Sequence, residues 1–279
     1  MPVGVCAEAT AIFAAMDKQN LAFSKWEGTG NDFILVDDRM EVFPVHDISF
    51  VRHLCDRHFG IGSDGLILLQ QPKEVGTRYH MEFFNPDGSK SFCGNGSRCA
   101  FAFHSALTAS TTDARFTAID GVHSAGWKAD NVAIGMRAVD RVERLNADTD
   151  FIHTGSPHLL RWVDDPEAID IVPAAHAHRY GERFKAEGVN VNFLRWQNDR
   201  VEMRTYERGV EAETLSCGTG VTAAALSAMA RGLVNGTCPV RTRGGDLRVE
   251  AVKVGEGYTG ISLIGPVRHV FNGEVHLPS

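Results

Sequence analysis

Two stretches of this chain repeat one arrangement: SFCGNGSRCAFAF at residues 91–103 and LSCGTGVTAAAL at 215–226. In each, a cysteine is followed by glycine, a polar residue and glycine, and then by an alanine-rich apolar run. A Gly-rich turn leading into good helix formers marks a helix start, so helices are expected at about 94–108 and 218–233. Both runs are apolar almost all the way round, which places such helices inside a fold rather than on its surface. Two buried helices have to be enclosed, and that requirement shapes the rest of the chain.

The enclosing material reads as strands. FILVDD, GLILLQ, YHMEFF, NVAIGM, VNFLRW, RVEMRTY, DLRVEAV and GISLIG are short, partly alternating runs bounded by Gly, Asn and Asp. A further helix is expected around Ser49–His58. The fold class is therefore mixed α/β (α+β), with sheets wrapped around two central helices. A strand, a polar turn, Cys-Gly-x-Gly and a buried helix occur in the same order before and after the middle of the chain. GNDFILV from Gly30 and VNVNFLRW from Val189 also correspond loosely. Two homologous halves, each presenting one thiol, are the economical reading; chance recurrence of a Gly-rich turn is the alternative.

Composition excludes several function classes. The net charge of −7 and the lack of a basic run argue against a nucleic-acid partner. No apolar stretch approaches the roughly 20 residues of a membrane span. The opening MPVGVCAEATAIFAAMDKQN is apolar, but no Lys or Arg precedes Lys18 and Glu8 interrupts the run. It lacks the basic start of a secretory signal and is expected to be a tail, or a segment ahead of a start at Met16. The cysteines, 6 in all, form neither a disulfide framework for a chain of 279 residues nor a C-x-x-C zinc pattern. His176 and His178 have no matching ligand pair nearby. No metal and no cofactor are expected, and a reducing, cytoplasmic compartment fits.

A helix N-terminus carries unpaired N–H groups and a partial positive charge, which suits a carboxylate or phosphate. The same field favours thiolate over thiol. Cys93 and Cys217 are thus candidate bases or nucleophiles beside an anion cradle. If both turns served one substrate, a carboxylate held by the helix ends would have a sulfur on each face of its neighbouring carbon. That suits proton removal on one face and return on the other, the developing enediolate being stabilised by the helix ends. A thiol hydrolase would want one cysteine and a hydrogen-bonded histidine, and would leave the second thiol without a task.

The motifs FSKWEGTGNDFILVD (23–37), RHFGIGSDGLILL (57–69), FFNPDGSKSFCGNGSRC (83–99), SPH (156–158), GVNVNF (188–193) and YERGVEAETLSCGTG (206–220) run in an order that resembles the diaminopimelate epimerases. These are PLP-independent enzymes that interconvert LL- and meso-diaminopimelate for lysine and cell-wall synthesis. The resemblance implies two pseudo-symmetric domains, each a curled mixed sheet around a central helix, with the active site in the cleft between them. Domain boundaries are expected at 21–135 with 267–279, and at 136–266, after an extension at 1–20. The resemblance further implies a cytoplasmic homodimer acting on a small molecule, with no cofactor and no metal.

It also implies roles. Cys93 and Cys217 would be the acid/base pair, and the N–H groups of Gly94, Asn95, Gly218 and Thr219 would hold the reacting carboxylate. Asn31, Asn85, Asn190 and Arg208 would fix the amino and distal groups, with Glu207 placed to meet the α-ammonium. Glu207 and His158 would modulate the thiols. On the residues alone, Asn31, Asn85 and Asn190 sit in turn-like contexts where asparagine shapes backbone, and His158 reads as structural. Adjacent charges such as Glu207-Arg208 are usually a solvated pair, but their place at a strand end before the second cysteine turn favours the site. Cys99, six residues beyond Cys93, reads as core.

Two positions depart from the family pattern. Ser156 stands where many relatives have Asn, and Gly65 where some carry a substrate-contacting glutamine. Both bear on recognition rather than proton transfer. The alternatives are a cofactor-independent racemase of another amino acid on the same fold, and a non-catalytic module that binds an amino acid.

Overall fold

The computed structural model describes residues 20–277, so the expected N-terminal extension lies outside the described residues except for Asn20. The chain divides into two compact units, one of Met1–Val132 with Val267–Ser279 and one of Ala133–Pro266. In each, a mixed sheet curls around one long buried helix.

In the first unit, β1 (Asn20–Gly28) turns tightly into β2 (Asn31–Asp37), antiparallel to it. The turn is made by Thr29 and Gly30, both at positive φ. α1 (Ile48–Cys55) crosses over to β3 (Gly65–Gln70), which pairs parallel to β2. α1 starts where Asp47 Oδ1 accepts the Phe50 N–H at 3.0 Å, and it buries Phe50, Val51, Leu54 and Cys55. Such a cap is worth about 1 kcal/mol. β4 (Tyr79–Phe84) returns antiparallel to β3. α2 (Gly94–Thr108) then crosses to β5 (Ala114–Ala118), parallel to β4, and β6 (Gly121–Lys128) pairs antiparallel to β5. α2 touches β1, β2, β3, β4 and β6 and is buried without interruption from Gly94 to Phe103.

After β7 (Asn131–Gly135) the second unit repeats this order. β8 (Glu143–Arg144) and β9 (Thr149–His153) are antiparallel, and β9 pairs antiparallel with β10 (Pro157–Trp162). α3 (Ile171–Arg179) crosses to β11 (Asn190–Gln197), parallel to β10, and β12 (Arg200–Glu207) returns antiparallel. After the short β13 (Ala212–Thr214), α4 (Gly218–Ala230) crosses to β14 (Thr237–Thr242), parallel to β12. β15 (Gly245–Val254) and β16 (Gly257–Gly265) continue antiparallel. α4 touches strands from β9 to β16, and its alanines let those strands approach closely. Finally β17 (Arg268–His276) pairs antiparallel with β1 along its whole length, in the first unit.

The expected burial of both long helices is found, although α4 stops at Ala230, where Arg231 caps it and Gly232 follows at φ 74. Cys99 is fully buried, as read. One correspondence is corrected. The topological counterpart of β2 is β10, not β11, so Thr29-Gly30-Asn31 matches Thr154-Gly155-Ser156, and β3 matches β11. The stretches from Gly30 and Val189 look alike because both are apolar strands that begin with asparagine. Among the described residues no helix is long and apolar enough to cross a membrane.

Candidate active site

Cys93 is the N-cap of α2: its backbone is extended at φ −127 and ψ 109, and its carbonyl takes the Ser97 N–H at 2.8 Å. Its sulfur accepts the Gly96 N–H at 3.3 Å. The N–H groups of Gly94 and Asn95 lie in the first turn of α2, at the positive end of the helix. A Cβ at Gly96 would meet Ile67 Cδ1 at 3.1 Å and the Cys93 sulfur at 3.4 Å, so glycine lets the helix start sit against β3.

Around this turn the side-chain amides are fixed in orientation. Asn31 Nδ2 donates to Asp64 Oδ2 at 2.7 Å, which turns Asn31 Oδ1 toward Asn95 Nδ2 at 3.3 Å and Cys93 Sγ at 4.0 Å. Asn95 Oδ1 in turn accepts from Arg98 Nη1 at 2.8 Å. Arg98 is fully buried and also donates to Thr29 Oγ1 at 3.1 Å. Burial lowers its pKa to about 10, which leaves it a cation at neutral pH. At the other end, Arg57 bridges Asp32 and Asp64, each at 2.7 Å, and the buried Lys25 pairs with Asp32 at 2.6 Å. Charges at both ends thus hold Asn31 in one pose. Asn85, by contrast, spends its side chain on its own turn, donating to Ser89 O, Ser89 Oγ and Ser91 Oγ.

Cys217 is the N-cap of α4, extended at φ −122 and ψ 112, with its carbonyl taking the Val221 N–H at 2.8 Å. Its sulfur makes no cap bond to the helix; Thr219 Oγ1 lies 3.4 Å away instead. Thr219 Oγ1 is 2.9 Å from His158 Nε2 and 3.1 Å from Ser156 Oγ. Thr154 Oγ1 donates to the Thr219 carbonyl at 2.9 Å. His158 is fully buried; burial, then the charges of His153 and Arg208, push its pKa down to about 3, so it is neutral. Gly220 is needed here, because a Cβ would lie 2.9 Å from Asn192 Oδ1 and 3.2 Å from His158 Cε1.

Asn190, level with His158 across the β10–β11 pair, accepts the Arg208 N–H on Oδ1 at 2.9 Å. The Arg208 guanidinium is exposed and donates to Glu187 O at 2.8 Å. Glu207 accepts from Thr214 Oγ1 at 2.7 Å, three residues before Cys217. The structure therefore gathers Asn31, Cys93 and Asn95 in one unit, and Ser156, His158, Asn190, Arg208, Cys217 and Thr219 in the other. Gly65 is buried in β3, and a Cβ there would lie 2.4 Å from Phe83 Cε2.

The sequence reading missed Asp64, Arg98, Thr154 and Asn192, which orient the candidates. Asn192 had a legible signal: it follows Asn190 at the two-residue spacing that puts both on one face of a strand. It also missed Glu211, whose carboxylate gathers Arg179, the Gly209 N–H, Tyr206 and Tyr180 and so closes the loop that carries Arg208. Among the described residues no group of three or more His, Cys, Asp or Glu side chains is placed to hold a metal ion. His176 and His178 instead meet Tyr206 and Arg161.

The family model described as diaminopimelate epimerase matches residues 23–142 and again 151–270, once over each cysteine turn. Diaminopimelate epimerase of Flavobacterium psychrophilum is 39% identical over 251 residues, covering 88% of this chain and 97% of the relative. That of Aquifex aeolicus is 37% identical, covering 91% and 98%. Among solved structures, a hydroxyproline epimerase from Agrobacterium vitis shares the fold at TM-score 0.73 and 18% identity, covering 94% of each chain. A PhzF-family phenazine biosynthesis protein of Bacillus anthracis shares it at TM-score 0.72 and 11% identity, covering 92% of this chain and 99% of that one. The chain belongs to the diaminopimelate epimerase family.

Proposed function

We propose that this protein interconverts LL- and meso-2,6-diaminopimelate by a two-base proton transfer at the α-carbon, without PLP. The observation that carries the reading is one frame built twice, each copy ending in a cysteine at the N-cap of a buried helix. The thiolate of one cysteine takes the α-proton. The C–H electron pair passes into the carboxylate as an enediolate, held by N–H groups of Gly94, Asn95, Gly218 and Thr219. The thiol of the other cysteine gives a proton to the opposite face and is left as thiolate, so the two exchange roles with each turnover. Helix ends aimed at the carboxylate stabilise the charge where it develops, which is the task an iminium would otherwise perform.

In this reading Asn31, Asn85, Ser156, Asn190 and Arg208 recognise the amino and distal groups, Glu207 meets the α-ammonium, and Glu207 and His158 act on the thiols. The reading includes a cytoplasmic homodimer supplying lysine and cell-wall precursors. A reducing compartment suits an enzyme whose proton carriers must stay thiols.

The test is deuterium entry at the α-carbon in heavy water, with LL-diaminopimelate, lysine and proline compared under matched conditions. Exchange confined to diaminopimelate is expected. Comparable exchange into proline would move the protein to the racemase alternative, and none into any amino acid would leave a binding module.

A further inference from the structure

The two cysteine turns share a backbone and differ in the side-chain bond at the cap. Cys93 Sγ takes an N–H of its own helix, from Gly96. Cys217 makes no such bond and has the Thr219 hydroxyl 3.4 Å away. Which of that pair gives the proton follows from tracing hydrogens inward from backbone carbonyls, which only accept.

Asn192 Nδ2 lies 3.1 Å from the Leu159 carbonyl and 3.2 Å from His158 Nδ1, while its Oδ1 takes the Thr205 O–H at 3.0 Å. The carbonyl fixes the amide's orientation, so its second N–H faces His158 Nδ1, which must accept. A neutral imidazole then carries its proton on Nε2, pointing at Ser156 Oγ and Thr219 Oγ1, each 2.9 Å away. Asn190 is fixed in the same way. Its Nδ2 donates to the Pro157 carbonyl at 2.9 Å and its Oδ1 accepts from Arg208, so Ser156 Oγ at 3.2 Å receives an N–H as well.

Every nitrogen around the two hydroxyls is therefore a donor toward them. Among the described protein groups around Ser156 Oγ, Thr219 Oγ1 at 3.1 Å is the one able to accept its proton, and with that bond made the Thr219 proton faces the Cys217 sulfur. We infer that the Thr219 hydroxyl donates to Cys217 and holds it as thiolate, at the end of a chain of donors from Asn190, Asn192 and His158, and that His158 is not the base for this thiol. When the Cys217 thiol protonates a carbanion, the same O–H is in place to receive the new charge.

The inference rests on the proposed function only in taking Cys217 as a proton carrier. The charged and titratable groups around this turn in its unit are His158 on β10, His153 at the end of β9, and Glu207 and Arg208 at the end of β12. None is changed in the variants proposed. Thr219→Val removes the O–H and keeps the backbone N–H; Thr219→Ser keeps both.

The measurement is iodoacetamide labelling of the full-length protein across pH, read by mass mapping of the Cys217 peptide, and it needs no substrate. Thr219→Val is expected to slow labelling at neutral pH about tenfold and to move the midpoint of the profile up by about one unit, the size of one hydrogen bond to a charged group. Thr219→Ser is expected to stay with the parent. A profile unmoved by Thr219→Val overturns the inference, and so does a shift that Thr219→Ser does not repair. Absence of diaminopimelate exchange would sink the functional reading and leave this result untouched.

Discussion

Phe33 and His158 hold the same position in the two copies of one fold: Phe33 lies opposite Gly65 in the β2–β3 pair, and His158 opposite Asn190 in the β10–β11 pair. Two residues further along the second strand, Ile67 and Asn192 are likewise equivalent, and each lies against the glycine of its own helix start. One copy fills these places with apolar side chains, the other with a hydrogen-bonded pair. The half-sites are therefore alike in backbone and unlike in chemistry.

If each face of the α-carbon has its own proton carrier, neither cysteine can substitute for the other. Cys93→Ser and Cys217→Ser are each expected to lower epimerisation at least about a hundredfold, the lower end of what a positioned acid or base contributes. Cys99→Ala and Cys238→Ala, both in the core, should keep most turnover. Assays on LL-diaminopimelate with circular dichroism as a fold control decide this, and near-parental activity in Cys217→Ser would refute the two-thiol mechanism.

Arg208 has its guanidinium exposed and its backbone N–H held by Asn190. A charge-assisted contact to a distal carboxylate contributes roughly ten- to a hundredfold in binding. Arg208→Met should lower kcat/KM on diaminopimelate by that factor with the fold unchanged. Equal efficiency in parent and variant would remove Arg208 from recognition.

His158 gives a pH signature. Its folded pKa, about 3, lies below the ordinary 6.5 because burial disfavours the cation. The unfolded chain thus binds the extra proton as pH falls through 6.5, and this group's stability is full above that value and declines toward pH 3. Between pH 7.5 and 5 the loss from this one site is about 2 kcal/mol. Urea unfolding at both pH values should show a smaller loss in His158→Gln than in the parent; identical losses would contradict a buried neutral histidine.

Glu211 sits at φ 56, and its amide closes the turn by donating to the Glu207 carbonyl at 2.8 Å. Burial raises its pKa, but hydrogen bonds from Arg179, the Gly209 N–H and Tyr206 outweigh that and bring it down to about 2. Glu211→Gln should cost about 1–2 kcal/mol and raise KM for diaminopimelate more than it lowers kcat, because it frees the loop carrying Arg208. A variant with unaltered KM would confine Glu211 to stability.

At Gly65, which the family pattern marks as a recognition position, the Phe83 ring lies where a side chain would be. Gly65→Ala should destabilise by about 1–3 kcal/mol through overpacking. Adding Phe83→Leu should recover part of that; no recovery would mean the strain lies elsewhere.

What the sequence disclosed follows the range of the interactions involved. GLILLQ and YHMEFF are β3 and β4 end to end: β3, buried on both faces, writes a nearly continuous apolar run into the chain, and β4 interrupts its apolar run only at His80 and Glu82. β17, RHVFNGEVH, is mostly exposed and has a glycine in its middle, so little in it announces a strand. Its pairing is with β1 at the far end of the chain, and Gly273 is there because Phe23 lies across it, a Cβ falling 2.6 Å from the ring. The cysteines and their helices were legible because glycine-then-alanine is a local signal. The orienting contacts were not: the spacing of Asn190 and Asn192 shows a shared strand face, but Asp64 meets Asn31, and Asn192 meets His158, only after the crossovers through α1 and α3 are formed.

The return of β17 to β1 sets an order of events during synthesis. The first unit is begun first and finished last, since residues 133–266 must be made before residues 268–276 exist. At ribosomal rates that interval is on the order of ten seconds. Throughout it β1 carries an open edge, Leu21 and Phe23 included, able to pair with the wrong strand. The second unit has no such debt to the far end of the chain and can close while still tethered. Because Asn20 and His276 are partners across the β1–β17 pair, a short turn joining them, with new ends opened in the turn between β6 and β7, would make the first unit continuous and remove the wait.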